Sequence, residues 1–153
     1  AVPFVMKTLG LSLAEVERQM TKESGLLGLS GVSNDLRDIL AAAAQGNARA
    51  RTALDVFIHS IRHWIGAYLV ELGGCDALVF TAGIGENNPD LRAAICAQLG
   101  DLGIQLDLAK NDALRGAEGE ISAAGSRTKI FVIPANEELV VARETLRCIA
   151  AKN

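Results

Sequence analysis

The stretch Ala77-Leu78-Val79-Phe80-Thr81-Ala82-Gly83-Ile84-Gly85-Glu86-Asn87-Asn88-Pro89-Asp90-Leu91 constrains the fold more than any other part of the chain. It reads as a buried strand, a two-glycine turn, and a helix with Asn88 as N-cap, Pro89 at the first helical position and Asp90 beside the positive dipole end. A helix start leaves backbone N–H groups unsatisfied and glycines let an anion come close, so a phosphate site is the first expectation. A second strand over 129–133, closed by Pro134, feeds another helix, capped by Asn136 and running to about Ile149. Two apolar strands, each followed by a capped helix, predict an α/β sheet in which helix dominates by length. Ligands on such sheets sit at the carboxyl ends of strands, where residues 83–87 and 136–138 both fall.

Helices account for most of the remainder. Ser12 with Glu15 has capping-box spacing ahead of Leu13, Val16 and Met20, predicting a helix to Thr21-Lys22. Residues 24–33 carry three glycines at three-residue spacing and read as a packing loop. Ser33 or Asn34 then caps a short helix ending near Gln45-Gly46-Asn47. Leu54, Phe57, Ile58, Ile61, Ile65, Tyr68, Leu69 and Leu72 form one wide apolar stripe, ended by Gly73-Gly74, which predicts a buried central helix. The helix after Asn88 presents Leu91, Ala94, Ile95 and Leu99. Residues 104–106 suggest a short strand, Asp107 caps a brief helical turn, and residues 119–122 form a weak edge strand.

A chain of 153 residues, half of them hydrophobic, is long enough to bury the core of one domain without a disulfide or metal staple. The net charge of −3 comes from interspersed charges with no basic stripe, which argues against a nucleic-acid partner. Cys75, Cys96 and Cys148 are odd in number and far apart, pointing to a reducing, cytoplasmic setting. No apolar run nears the ~20 residues that span a bilayer, so no membrane partner is expected. The first residues lack the pattern of a signal peptide, and Ala1 in place of Met leaves processing or a longer parent chain as the two explanations.

Several motifs invite chemistry, each with a plainer alternative. Gly83-x-Gly85 is no P-loop, since no Gly-Lys-Ser/Thr follows, and Asn88 stands where a dinucleotide fingerprint has its third glycine. It is a nucleotide turn of another type or a structural turn. Glu86 and Asn87 are polar groups at a strand end, suited to ribose or phosphate, or else to the helix dipole and cap. Asp35 reads as a first-turn carboxylate. Arg37 suits a base or phosphate, with Asp35 or Asp38 as its ordinary surface partner. Glu137 and Glu138 are first-turn carboxylates on spacing alone, although a hard cation such as Mg²⁺ takes such oxygens. His59 and His63, one turn apart with no acid beside them, read as a solvated or interface pair. No serine has a nucleophile-elbow context and no cysteine a neighbouring base, so no catalytic machinery is evident.

Four blocks in order resemble the acetate kinases: Ser24-Gly25-Leu26-Leu27-Gly28-Leu29-Ser30-Gly31, Asp35-Leu36-Arg37-Asp38, Phe80-Thr81-x-Gly83-Ile84-Gly85-Glu86-Asn87, and Val132-Ile133-Pro134-x-Asn136-Glu137-Glu138-Leu139. Propionate and butyrate kinases are close relatives of that family. The resemblance implies a helix-rich α/β lobe of the actin, Hsp70 and sugar-kinase (ribonuclease H-like) superfamily, the C-terminal part of a two-lobe kinase. It implies transfer of the γ-phosphoryl of ATP to acetate with Mg²⁺, giving acetyl phosphate and ADP. Carried over by position, Asp35, Leu36 and Arg37 line the adenosine end, and Gly83, Ile84, Gly85, Glu86 and Asn87 form a second nucleotide loop. Glu137 helps hold Mg²⁺, through water. Ala82 stands where the family usually has Gly, and Ala135 where it usually has Thr.

The family chain is much longer, and its catalytic acid, histidine and carboxylate-binding arginines belong to an N-terminal lobe that this sequence does not match. No catalytic residue is therefore assigned here, and residues 1–153 alone are expected to bind nucleotide at most. The expected organisation is a nucleotide-binding lobe over 1–136 and a helix over 137–153 that packs on the N-terminal lobe. Its apolar Leu139, Ala142, Leu146 and Ile149 would otherwise be exposed, repacked or buried against another chain. The family's dimerisation through this lobe makes a homodimer the expected assembly. Two readings compete with this one: a non-catalytic binding or dimerisation module, and a nicotinamide-binding domain with Asp107 as the ribose acid.

Overall fold

The computed structural model describes residues 2–150, and the expectations for residues 1 and 151–153 lie outside it. The chain forms two compact units that divide between Trp64 and Ile65.

The first unit is helical: α1 (Val2–Leu9), α2 (Leu13–Arg18) running on as a π turn to Glu23, α3 (Gly25–Ser30), α4 (Leu36–Ala44) and the first part of α5 (Ala48–Leu72). The predicted capping box is present. Glu15 N–H donates to Ser12 Oγ at 3.3 Å and Ser12 N–H to Glu15 Oε2 at 2.7 Å. Val16, Leu36, Ile39, Ala43, Ala50, Ala53 and Leu54 are buried.

Three expectations are corrected in this unit. The glycine-rich segment is not a loop over its whole length, because residues 25–30 close into α3. Gly31 ends that helix at φ +67°, and Arg49 donates from Nε to the Leu29 carbonyl (3.1 Å) and from Nη2 to that of Gly28 (3.2 Å). The left-handed φ favours glycine at Gly31, and a Cβ there would sit 3.0 Å from the same guanidinium and have to displace it. The cap of α4 is Asp35, not Ser33 or Asn34. Asp35 Oδ1 accepts the Arg37 N–H at 2.8 Å, while Ser33 Oγ accepts the Asp35 N–H. Finally, α5 ends at Gly73-Gly74 as predicted but is not a buried central helix: only Ala50, Ala53 and Leu54 are buried, and Tyr68 and Leu72 are 61% and 72% exposed.

In the second unit, β1 (Ala77–Phe80), β3 (Lys129–Val132) and β2 (Gly119–Glu120) form a sheet of order β1-β3-β2. β1 runs parallel to β3, with Leu78 opposite Ile130 and Phe80 opposite Val132, and β2 pairs antiparallel to β3. β3 is therefore central, with Ile130 and Val132 buried. β1 is an edge strand of which only Phe80 is buried, which corrects the expectation of a buried strand. Residues 104–106 make a single bridge, Leu106 to Ser122, in place of a strand. The sheet is flanked in sequence by α6 (Ala82–Asn87), α7 (Pro89–Cys96), α8 (Leu108–Ala113) and α9 (Glu137–Ala150). Asn88, Asp107 and Asn136 cap α7, α8 and α9 through the N–H groups of Leu91, Lys110 and Leu139, as predicted. Among the described residues no helix is long and apolar enough to cross a membrane.

Arg92, on α7, is fully buried at 0% exposure. Its five N–H groups all have protein acceptors. Nε donates to Asn111 Oδ1 (2.8 Å), Nη1 to the carbonyls of Gly85 (2.7 Å) and Glu86 (2.9 Å), and Nη2 to those of Asn111 (3.0 Å) and Leu114 (2.6 Å). The four carbonyls belong to the C-terminal ends of α6 and α8, where helices leave oxygens unpaired and carry partial negative charge. Burial, and then the nearby Arg115, pull the Arg92 pKa down, yet the carbonyl cage keeps a group of this basicity charged.

Two outcomes follow. Arg92→Lys keeps the charge but offers three donors without a planar fork, stranding two buried oxygens at about 1–3 kcal/mol each. Urea unfolding followed by circular dichroism should show a loss of about 2–4 kcal/mol, and a loss under about 1 kcal/mol would mean that the five bonds are incidental. At the α4 cap, the Arg37 guanidinium and then the Arg37 N–H hold the Asp35 carboxyl down at about 2. A depressed carboxylate stabilises fully above its unfolded value of about 3.9 and loses that contribution as the pH falls towards 2. Carboxyl ¹³C titration of Asp35 should give a midpoint near 2, moving up in Arg37→Ala; a midpoint near 4 in the unaltered chain would refute the pairing.

Candidate functional site

The carboxyl ends of β1 and β3 lie side by side because the strands are parallel and adjacent. Residues 82–87, after β1, are not an open two-glycine turn but the six-residue helix α6. Ala82 makes the corner at φ +59°, a left-handed conformation that costs an alanine roughly 1–2 kcal/mol. The far end of α6 is held by Arg92, by Gly116 N–H donating to the Glu86 carbonyl (3.2 Å) and by Arg115 Nη1 donating to that of Asn87 (3.3 Å).

Between the two strand ends is a hollow of about 370 Å³, lined by Ala82, Gly83 and Glu86 on one side and Ala135, Asn136, Glu137 and Glu138 on the other. Glu86 reaches across it, and its Oε1 accepts the Ala135 N–H at 2.7 Å. Asn87 is already engaged, its Nδ2 donating to the Gly83 carbonyl at 3.0 Å. Ile84 is 47% exposed. A Cβ built on Gly85 would touch the Phe80 carbonyl carbon at 3.4 Å, an ordinary contact, and one on Gly83 would meet nothing within 4 Å. Neither glycine has a positive φ.

The structure thus brings Gly83 and Glu86 together with Glu137. Asp35, Leu36 and Arg37 belong to the first unit. There Leu36 is buried, and Arg37 pairs with Asp35, Nη2 to Oδ2 at 2.5 Å. Asp107 is a helix cap with Lys110 nearby, which gives the nicotinamide reading no free acid. His59 and His63 are exposed, with the His63 ring edge-on to Trp64 at 5.4 Å. Among the described residues no cluster of three or more His, Cys, Asp or Glu could hold a metal unaided. Glu137 and Glu138 are compatible with Mg²⁺ bound the way that ion prefers, through one or two carboxylates and retained waters, with phosphate oxygens completing the shell.

Sequence reasoning missed Arg92 and Asn111, whose amide also donates to the Pro89 carbonyl at 2.9 Å. The signal for Arg92 was available: it lies three and seven residues before Ile95 and Leu99, in phase with the apolar face of α7. Asn111 gives none, because its main partners, Arg92 and Pro89, are some twenty residues away in sequence.

The acetokinase family model matches residues 1–143. The chain is 53% identical to the acetate kinase of Moorella thermoacetica over 150 residues, covering 98% of this chain and 38% of that one. It is also 53% identical to that of Syntrophomonas wolfei over 142 residues, covering 93% and 36%. Among solved structures, it superposes on Porphyromonas gingivalis acetate kinase with a TM-score of 0.85 at 39% identity, over 96% of this chain and 37% of that one. A propionate kinase from Francisella tularensis gives 0.81 at 37% identity, over 94% and 36%. The chain therefore spans less than two-fifths of the length of these relatives. Across that span, with its helix-rich α/β fold, it belongs to the acetokinase family.

Proposed function

We propose that this chain is the C-terminal, nucleotide-binding lobe (1–136) and following segment (137–153), which carries the helix Glu137–Ala150, of an acetate kinase, a cytoplasmic homodimer, and that its strand-end hollow holds the phosphates of ATP or ADP with Mg²⁺. In the parent reaction a carboxylate oxygen of acetate attacks the γ-phosphorus of ATP. The bond to the bridging oxygen breaks, giving acetyl phosphate and ADP. Acetate is taken as acceptor because the relatives at 53% identity are named acetate kinases; the propionate kinase match keeps a longer acyl chain as the second reading.

The observation that carries the proposal is Gly83. Neither its φ nor its packing calls for glycine, and a helix would gain from alanine there, yet its open face lines the hollow. Close approach of a ligand to the backbone is the remaining physical reason for the missing side chain. Charge supports the same reading. The hollow is ringed by the carboxylates of Glu86, Glu137 and Glu138 with no Lys or Arg among its lining residues. Phosphate is repelled from such a surface unless a cation lies between. Bound Mg²⁺ would supply that neutralisation, with Glu137 as its carboxylate. Asp35, Leu36 and Arg37 are proposed as nucleoside contacts from the family pattern alone. No residue of Glu137–Ala150 is buried, and the exposure of its apolar Leu139, Leu146 and Ile149 fits a helix that packs on further protein.

Calorimetry with ADP and Mg²⁺ tests the proposal on residues 1–153. The unaltered chain should bind ADP more tightly with Mg²⁺ than without. Gly83→Ala should stabilise folding by about 0.5–1 kcal/mol yet weaken ADP binding several-fold. Unchanged ADP affinity in that variant, or no binding by the unaltered chain, would sink the reading. Residues 1–153 alone should yield no hydroxamate-trapped acetyl phosphate above a no-protein control.

A further inference from the structure

The parallel ladder between β1 and β3 is fed by every second N–H of the β3 side. Lys129 N–H donates to the Asp76 carbonyl at 2.8 Å, and four residues later Ile133 N–H donates to the Phe80 carbonyl at 2.9 Å. Ala135, two residues on, is next in this series. Its strand partner would be the carbonyl of residue 82, but the chain has already left the sheet there, turning at Ala82 into α6. Glu86, half-buried on the last turn of α6, takes the vacant place: its Oε1 accepts the Ala135 N–H at 2.7 Å. The backbone of Glu86 is itself fixed, its carbonyl accepting from Arg92 Nη1 and from Gly116 N–H. A continuous set of hydrogen bonds therefore runs from Arg92, buried in the second unit, through Glu86 to the segment two residues before Glu137.

We infer that Glu86 is a positioning residue: it continues the ladder past the end of β1 and sets Glu137 relative to Gly83, and it does so as a hydrogen-bond acceptor, without need of its charge. This rests on the nucleotide reading above and deepens it, because it gives one residue of the glycine loop a role directed at the metal-binding segment. One Oε1 oxygen makes the bond, so an amide oxygen at the same position can make it too. A residue acting by charge on the cation or phosphates would behave differently, since glutamine would then fail as badly as alanine.

The test compares Glu86→Ala with Glu86→Gln in residues 1–153, with two readouts. One is hydrogen exchange of the Ala135 amide by NMR. The other is the gain in ADP affinity on adding Mg²⁺, taken as the ratio of the two Kd values. In Glu86→Ala the amide should exchange at least tenfold faster and the Mg²⁺ gain should fall at least fivefold. In Glu86→Gln both should stay within twofold of the unaltered chain. Loss of the Mg²⁺ gain in both variants alike would overturn the inference by showing that charge matters, as would an Ala135 amide still protected in Glu86→Ala. Failure of the unaltered chain to bind ADP under either condition would bring down the nucleotide reading itself, a result distinct from either of these.

Discussion

The Arg92 guanidinium places a full positive charge where solvent does not reach, and five protein oxygens take the role of water around it. An isolated charge in such a place is costly to bury, and a carboxylate partner is the usual remedy. Here the partners are four main-chain carbonyls and one amide oxygen, gathered from the ends of α6 and α8. Arg92 supplies donors to carbonyls at the ends of both short helices, beside the Gly116 N–H on Glu86 and the Leu114 N–H on Asn111. The charge and the two helix ends thus satisfy one another, and removing any member leaves the others uncompensated. Arg49 repeats the device on a smaller scale in the first unit, where it closes α3 through the carbonyls of Gly28 and Leu29.

This arrangement explains why a six-residue helix with glycines at its second and fourth positions persists. Segments this short gain little from propensity, and glycine lowers that further. Stability has to come from outside, and it comes through the carbonyls of the last turn, Gly85 to Asn87, which leaves open the space that a Cβ on Gly83 would enter. The strain at Ala82 falls at the other end, where the chain turns out of the sheet. A loop held from behind and open in front is suited to a ligand that presses on backbone.

Legibility in the sequence followed the range of the interactions. Ser12 with Glu15, Asn88, Asp107 and Asn136 are legible as caps because donor and acceptor are three residues apart and the chemistry is local. The β1–β3 pairing was visible as two apolar runs with capped helices behind them. The open edge of β1 was not, since what lies beside a strand is decided by topology. The glycine content of residues 24–33 predicts a loop, and what makes α3 of it is Arg49, some twenty residues away. On residue type Ser33, Asn34 and Asp35 are equally good caps, and the choice of Asp35 is made by the fold. At the site, Gly83, Glu86 and Glu137 could be picked out as polar or small residues at strand ends. The bond from Glu86 to Ala135 spans 49 residues, and only the fold reveals it.

The division of charge within the second unit limits what this part of the molecule can do in chemistry. Phosphoryl transfer is driven mainly by positioning and by neutralising charge on the transferred group. Arg92, the buried cation tied to the glycine helix, has every donor committed to protein oxygens and none to offer a phosphate, and the exposed Arg115 donates to the Asn87 carbonyl at the far end of that helix. The residues lining the hollow contribute carboxylates, an amide side chain and backbone. Such a surface can seat a metal-bound nucleotide and fix its direction. Stabilising the charge that develops on the γ-phosphoryl group needs positive groups that the lining residues do not contain, so in the proposed kinase that work falls to the metal and to parts of the protein beyond this hollow.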